Sequence, residues 1–296
     1  MKLNLTYIFA TLLLIVASFA YRHYTESEEQ REHNDIVRTY LVNTHTLAQT
    51  KKPFLWVHTT FEPNARHWVD FGSRQTTQMN QPYKFMTIKS IIDHCADDFN
   101  ICLLNDDSFA KVVPGWRISM DNVADPLKSK IRRMGLIKLL RQYGGVVVPD
   151  SFVCFKSLAP LLDDKEVLCG STTDLFAAAP AQHETIREYA KWLERSISED
   201  YTADALFRKD PNELPQNVPD SLLGMTDASG SRVTLDRLMG SSFMEISPDA
   251  YGVYIPERQL LRSTKYQWFT RLSVEQVLES NTMAGKLILL NTKAKA

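Results

Sequence analysis

The chain has 296 residues, 44% of them hydrophobic, so it can bury a substantial core, and a protein that is mainly disordered is excluded. Lys and Arg number 34 and Asp and Glu 35, which leaves a net charge of -1, no overall basic field and no expected nucleic-acid partner. The four cysteines form no CxxC pair and lack a histidine at zinc-ligand spacing, which excludes zinc fingers and small disulfide-dense folds.

The first 21 residues carry the strongest local signal. Residues 3–21 contain no charged side chain, and this length matches the roughly 20 residues that span a bilayer. A cleaved signal peptide is the alternative, because Ser18 and Ala20 have the spacing of a processing site, although the usual apolar region of such a peptide is only about 7–15 residues. We therefore predict a single-pass membrane protein with residues 1–21 as a signal-anchor, in the Golgi or endoplasmic reticulum if the source is eukaryotic. Cations on both sides of the segment leave its orientation open.

Residues 22–52 are predicted to form a stem helix or linker between the membrane and the domain. Their charges are mixed, and apolar residues recur at helical spacing. Residues 53–296 are predicted to form one domain, since no repeat or low-complexity tract interrupts them. The proline-rich segment 210–219 is interpreted as a surface loop within it.

Short apolar runs alternate with helical patterns in the first half of this domain. Strands are predicted over 54–58, 101–104 and 146–148, and helices over 87–96 and 127–142. This order is typical of an α/β fold with a mostly parallel sheet covered by helices, in which ligands bind at the carboxyl ends of the strands. The residues at the three strand ends are His58, Asn105-Asp106-Asp107 and Pro149-Asp150-Ser151.

One segment of this region resembles a known group of sugar transferases. The sequence RMGLIKLLRQYGGVVVPDS, residues 133–151, resembles the helix, Tyr-Gly-Gly turn and acidic strand end of the DXD-type glycosyltransferases. These are the family 32-like glycosyltransferases and the related capsular polysaccharide synthesis proteins. The resemblance covers residues 52–169, and the C-terminal third fits the family by position only.

The resemblance implies a glycosyltransferase-A-like, Rossmann-like fold. It also implies transfer of a sugar, with retention at the anomeric carbon, from a nucleotide-sugar donor to a glycan or glycoconjugate acceptor. In the family, an Asp-x-Asp triplet holds a divalent metal against the donor diphosphate. Here the triplet is Pro149-Asp150-Ser151, so both expected carboxylates are replaced and one lies between them. A second departure is in the preceding helix, where Arg133 and Leu136 replace an Asp followed three residues later by an Arg.

Asp150 is the expected metal ligand and a candidate catalytic residue. Magnesium often uses only one or two protein carboxylates together with substrate phosphates, so this single acid could hold Mn²⁺ or Mg²⁺ with help from Ser151. The alternative interpretation is that the triplet is an ordinary turn after a strand.

Asp106 and Asp107 are expected near the nucleotide, as further candidate catalytic residues. Two adjacent acids at a strand end could hold ribose hydroxyls or a metal, and the alternative is a turn or helix cap leading into Ser108. His58 is a candidate substrate contact, or else a structural histidine at a strand end.

The predicted helix 127–142 contains six cations and no acid between residues 128 and 141. At about 100° per residue these cations spread around the helix, without the clustering and aromatic partners of a nucleic-acid patch. Near the helix start, Arg133 or Lys130 could reach a phosphate. A solvated basic face is the alternative.

The C-terminal third adds a basic aromatic segment, residues 262–271. Lys265 and Trp268 are candidate substrate contacts, because aromatic rings stack on sugars and cations pair with phosphate. The alternative is that the aromatic residues anchor the C-terminus to the core. An amphipathic helix is predicted over 186–197, and a capping box at Ser273 predicts a helix start there.

Two classes of function therefore stand at this point. One is a membrane-anchored glycosyltransferase. The other is a non-catalytic glycan-binding or scaffold protein that kept the transferase fold after losing both DXD carboxylates.

Overall fold

The computed structural model describes residues 52–60, 81–121, 123–199 and 214–293. The predicted signal-anchor, residues 1–21, lies outside the described residues, as does the predicted stem apart from Lys52. Within the described ranges, no helix has both the length and the apolar character needed to cross a membrane.

Seven strands and eight α-helices make up the described chain. The strands are β1 (Phe54–His58), β2 (Asn100–Leu104), β3 (Gly145–Pro149), β4 (Phe152–Cys154), β5 (Leu168–Cys169), β6 (Ala177–Ala179) and β7 (Gly252–Tyr254). The helices are α1 (Tyr83–Cys95), α2 (Ser108–Val112), α3 (Leu127–Tyr143), α4 (Glu184–Glu199), α5 (Leu235–Met239), α6 (Glu257–Arg262), α7 (Val274–Glu279) and α8 (Met283–Lys293). Two 3₁₀ helices cover Ala159–Leu162 and Gln267–Arg271.

The main sheet has five strands in the order β2-β1-β3-β6-β5. β1 is parallel to both β2 and β3, and β6 is antiparallel to β3 and to β5, so every strand except β6 runs in the same direction. The predicted α/β class with a mostly parallel sheet and flanking helices is confirmed, and the arrangement is compatible with a Rossmann-like fold. β4 and β7 pair antiparallel as a separate two-stranded sheet.

The local sequence patterns predict most element positions well. β1 has the predicted bounds, β2 and β3 extend their predicted cores by one or two residues, and α3 ends one residue later than predicted. The predicted helices at 186–197 and after Ser273 are present, and Ser273 and Gln276 form both hydrogen bonds of the capping box. α1 begins at Tyr83, four residues before its predicted start. The sequence pattern missed this first turn because it contains a charged residue, Lys84, which interrupts the apolar run although the fold buries it.

Helices cover both faces of the sheet. Alternate side chains of β1 point to opposite faces: Trp56 packs in the cluster that includes α3 and α4, while Leu55 and Val57 pack in the cluster that includes α1. The Trp56 indole also donates a 2.9 Å hydrogen bond to the carbonyl of Gly144, which fixes the turn between α3 and β3. The sheet is therefore buried on both sides, and its functional groups lie at its edges.

A third cluster attaches the C-terminal segment to α1. The Tyr83 ring lies 5.6 Å from the ring of Phe269, and Asn291 of α8 donates to the carbonyl of Cys154 and contacts His94 of α1. This packing brings the start of α6 next to the end of β3.

Candidate functional site

The carboxyl ends of β1, β2 and β3 lie side by side, as the sequence predicts. In the strand register His58 is opposite Leu104 of β2 and Pro149 of β3. The polar residues that follow these strands therefore meet at one edge of the sheet, where α/β proteins bind ligands.

Asp106 is the centre of the first cluster at this edge. Arg132 donates two hydrogen bonds of 2.7 Å to its two carboxylate oxygens, and His58 donates a third of 3.0 Å. The Lys128 ammonium is 3.5 Å from the same carboxylate. Burial raises the pKa of Asp106, but the hydrogen bonds from Arg132 and His58 outweigh burial and hold the pKa well below its ordinary value. Asp106 is therefore ionised at neutral pH.

The predicted turn at this strand end uses Asn105 instead of either aspartate. The Asn105 side chain accepts hydrogen bonds of 2.9 Å from the backbone N–H of Ser108 and 2.6 Å from its hydroxyl. Because Asn105 fills this role, the carboxylate of Asp106 is left for Arg132 and His58. Asp107 is exposed to solvent.

α3 presents different cations to the site than the sequence interpretation selected. Lys130 and Arg133 lie on the side of the helix that faces α4, where Lys130 is 5.4 Å from the ring of Trp192 and Arg133 is 5.8 Å from the ring of Tyr189. The side chains that reach the strand ends are Lys128 and Arg132, which lie one helical turn apart.

The reason for this difference is that α3 has no single apolar face. It packs on both the sheet and α4, so its buried residues occur all around the helix and include Ile131, Met134, Leu136, Ile137, Leu139 and Leu140. Without an apolar stripe, the sequence does not fix which side of the helix faces the site. The i, i+4 spacing of Lys128 and Arg132 was the only local signal.

Asp150 is the centre of the second cluster. It is only 6% exposed, and its carboxylate lies 3.0 Å from the ammonium of Lys84, which is itself 3% exposed. The same ammonium lies 2.6 Å from Glu257 at the start of α6, and Gln81 donates a 2.8 Å hydrogen bond to Glu257. None of these three partners was identified from the sequence, since each lies far along the chain from Asp150.

The pKa values of Lys84, Asp150 and Glu257 depend on burial and on the contacts that Lys84 makes with the two carboxylates. Burial lowers the pKa of Lys84, but the charges of Asp150 and Glu257 outweigh it, so the net pKa is raised and the ammonium stays charged at neutral pH. Burial raises the pKa of Asp150 more than Lys84 lowers it. Burial also raises the pKa of Glu257, but there Lys84 prevails and the net pKa is lowered.

Hydroxyl groups surround the second cluster. The Tyr83 hydroxyl is buried, and its pKa is raised by burial and then by the charges of Glu257 and Asp150. The hydroxyls of Tyr83 and Ser151 make no hydrogen bond with any described residue. The buried Thr59 hydroxyl also has no hydrogen-bond partner among the described residues.

An arginine lies at the rim of this cluster. Arg258 of α6 is 3.3 Å from Asp174, and its side chain is 51% exposed. Asp174 also accepts a 2.6 Å hydrogen bond from the hydroxyl of Tyr254. Arg258 directly follows Glu257 in α6, and its charge contributes to the lowered pKa of Glu257. Its guanidinium remains accessible to solvent.

The basic aromatic segment has other contacts. Lys265 pairs with Asp236 at 3.3 Å and lies 4.7 Å from the ring of Tyr266. Trp268 is 44% exposed and makes an edge contact with Phe269, which is fully buried. Phe269 therefore serves as the predicted anchor to the core, and Trp268 and Lys265 stay candidate substrate contacts.

The surroundings of Asp150 do not fit the divalent metal that the resemblance implies. The ammonium of Lys84 lies where a cation would bridge Asp150 and Glu257, and Pro149 and Ser151 supply no further carboxylate. Within the described ranges, no group of three or more His, Cys, Asp or Glu residues has the arrangement of a metal site. The expectation of a metal at Asp150 therefore rests on the resemblance alone, and titration of the chain with manganese tests it.

The fold and this edge of the sheet define the class of protein: an α/β protein with two clusters of ionic residues at the carboxyl ends of three parallel strands. Comparisons of the chain with protein families, with curated proteins and with solved structures gave no match.

Proposed function

We propose that the protein is a membrane-anchored glycosyltransferase of the glycosyltransferase-A type, which transfers a sugar from a nucleotide-sugar donor to a glycan or glycoconjugate acceptor. The observation that carries the proposal is the meeting of His58, Asp106 and Asp150 at the ends of three adjacent parallel strands. The resemblance of residues 133–151 to the DXD-type transferases points to the same edge of the sheet.

The chemistry of a nucleotide-sugar donor requires positive charge at this edge. As the glycosidic bond breaks, negative charge develops on the leaving diphosphate and must be stabilised by cations or hydrogen-bond donors. Lys128, Arg132 and Arg258 are the candidates, because their side chains are 26%, 23% and 51% exposed and lie beside the strand-end clusters. The start of α3, which carries Lys128, adds the positive end of a helix dipole.

Asp106 is suited to bind hydroxyl groups of the donor. Its carboxylate stays ionised because its pKa is lowered, and an ionised carboxylate accepts hydrogen bonds from ribose or sugar hydroxyls. His58 and Arg132 fix its orientation.

A second candidate function is favoured by the altered triplet. Pro149 and Ser151 replace both family carboxylates, and Lys84 already binds the remaining one. A non-catalytic glycan-binding or scaffold protein with the same fold would tolerate these changes, since it needs no nucleotide. Affinity for nucleoside diphosphates separates the two candidates.

The test is calorimetric titration of the full-length chain in detergent with UDP, GDP, ADP and CDP, with manganese present. We expect one nucleotide to bind, and we expect Lys128→Ala to weaken its binding about tenfold, as for the loss of a charge-assisted hydrogen bond. The matched control is Lys130→Ala, which removes a lysine of the same helix that faces Trp192 instead of the strand ends. If no nucleotide binds, or if the two variants weaken binding equally, the transferase proposal fails and the glycan-binding candidate is favoured.

A further inference from the structure

Lys84 is an unusual residue at the start of α1, because a lysine is rarely this deeply buried without a specific partner. Its side chain is 3% exposed, and its ammonium contacts Asp150 at 3.0 Å and Glu257 at 2.6 Å. Packing on both sides holds it there: the preceding Tyr83 lies against Phe269, and the Thr87 hydroxyl, one turn later, donates to the backbone carbonyl of Asp150.

The Lys84 ammonium occupies the position between Asp150 and Glu257 at which a divalent ion would bind. Two carboxylates that share one cation form the kind of site at which Mg²⁺ or Mn²⁺ binds. A divalent ion at these oxygens would have to displace the lysine, and the displaced ammonium would stay buried without a partner. Leaving a buried charge unpaired is strongly unfavourable, so the lysine and a metal compete for the same carboxylates.

We propose that Lys84 takes the place of a divalent metal at the altered DXD triplet, so that the site binds a nucleoside diphosphate without a metal ion and meets its phosphates with Arg258, Arg132 and Lys128. The claim that a nucleoside diphosphate binds rests on the proposed function. The claim that Lys84 excludes a metal concerns Lys84, Asp150 and Glu257 alone and is tested separately.

The first experiment measures manganese alone, by electron paramagnetic resonance of free Mn²⁺ added to the full-length chain without nucleotide. We expect the wild-type chain to retain no Mn²⁺ at micromolar concentrations. We expect Lys84→Ala to retain one ion, because it frees two adjacent carboxylates, and Mn²⁺ should then raise the melting temperature of this variant but not of the wild type.

A matched control uses another buried carboxylate that has a cationic partner. Asp227 is 8% exposed and pairs with Arg237 at 2.6 Å. Arg237→Ala also leaves a buried carboxylate without its cation. Among the described residues Asp227 is the only carboxylate that pairs with Arg237, so this variant frees a single carboxylate and we expect it to retain no Mn²⁺. If Lys84→Ala does not fold, Lys84→Gln serves instead, because it removes the charge while keeping a long polar side chain.

The second experiment repeats the nucleotide titration of the wild-type chain with EDTA and with Mn²⁺. The proposal expects the affinities to agree within about twofold, since the metal is not a ligand of the wild-type site. It is overturned if the wild-type chain retains Mn²⁺, if Mn²⁺ strengthens nucleotide binding tenfold or more, or if neither Lys84 variant gains a manganese site. If no nucleotide binds in either buffer while Lys84→Ala still gains Mn²⁺, the proposed function and the claim of nucleotide binding fail. The claim that Lys84 occupies the position of a metal is then still supported.

Discussion

Asp106 and Asp107 are neighbouring carboxylates with different surroundings. Asp106 accepts three hydrogen bonds, two from Arg132 and one from His58, whereas Asp107 is exposed. Hydrogen bonds to a partly buried charge contribute more to stability than contacts at the surface. The two aspartates therefore form a matched pair for measuring how firmly the strand-end cluster is held.

We predict that Asp106→Asn lowers the free energy of unfolding by about 2 kcal/mol at pH 7, as expected for lost hydrogen bonds to a charged group. Because the folded-state pKa of Asp106 is lowered, its stabilising effect is complete above the ordinary aspartate pKa of about 4 and is lost as the pH falls further toward the folded-state pKa. The measurement is urea unfolding of both proteins at pH 7, 5 and 3.

Asp107→Asn is the control and should change the unfolding free energy by less than about 0.5 kcal/mol at each pH. An Asp106→Asn effect of the same size at pH 3 as at pH 7 would contradict this account, since the contribution of an ionised carboxylate must shrink on protonation.

At the scale of elements, the junction between α3 and β3 depends on glycine. Gly145 has a φ of 103°, and a Cβ added to it would lie 2.0 Å from the carbonyl oxygen of Phe54 in β1. This close approach lets β3 pair with β1, and the pairing sets Pro149, the residue before Asp150, opposite His58. The Tyr-Gly-Gly sequence that supports the family resemblance thus has a direct structural role.

Gly145→Ala is predicted to cost about 3 kcal/mol or more, or to prevent folding, because β3 and β1 would have to separate. Gly115 is the matched control: its φ is also positive, at 74°, but no atom lies within 4 Å of an added Cβ. Gly115→Ala should therefore cost only about 1–2 kcal/mol of backbone strain. Thermal unfolding of the two variants measures the difference, and equal losses would show that strand contact at Gly145 is unimportant.

At the scale of the whole molecule, the three buried clusters consist of residues that lie between Leu55 and Ile288. The C-terminal segment is part of this core, because Glu257 of α6 pairs with the buried Lys84 and α8 packs on α1. The predicted signal-anchor lies before all of these residues in the chain.

We predict that removing residues 1–21 transfers the protein from the detergent phase to the aqueous phase without changing its melting temperature, because the buried core is retained. Phase partition and thermal unfolding of both chains provide the measurement. A full-length chain with Leu13→Arg and Val16→Arg is the control, since each arginine at the centre of a membrane segment costs about 2.5–3.5 kcal/mol. It should also leave the detergent phase. A wild-type chain found in the aqueous phase would contradict the anchor prediction.

The sequence by itself determined the α/β class, most bounds of β1, β2, β3, α3 and α4, and the strand ends that form the candidate site. These features follow from local signals, namely apolar periodicity, the glycines before β3 and the capping box at Ser273, each of which acts within a few residues.

The tertiary structure alone decided which charges meet. Arg132 and not Arg133 binds Asp106, and Lys84 pairs with both Asp150 and Glu257, although the three residues lie far apart along the chain. A buried charge is stable only where an opposite charge offsets its loss of hydration, and that partner can come from any part of the chain. The local pattern around Lys84 therefore looks unfavourable for a buried helix, and only the folded arrangement supplies the two carboxylates that stabilise it.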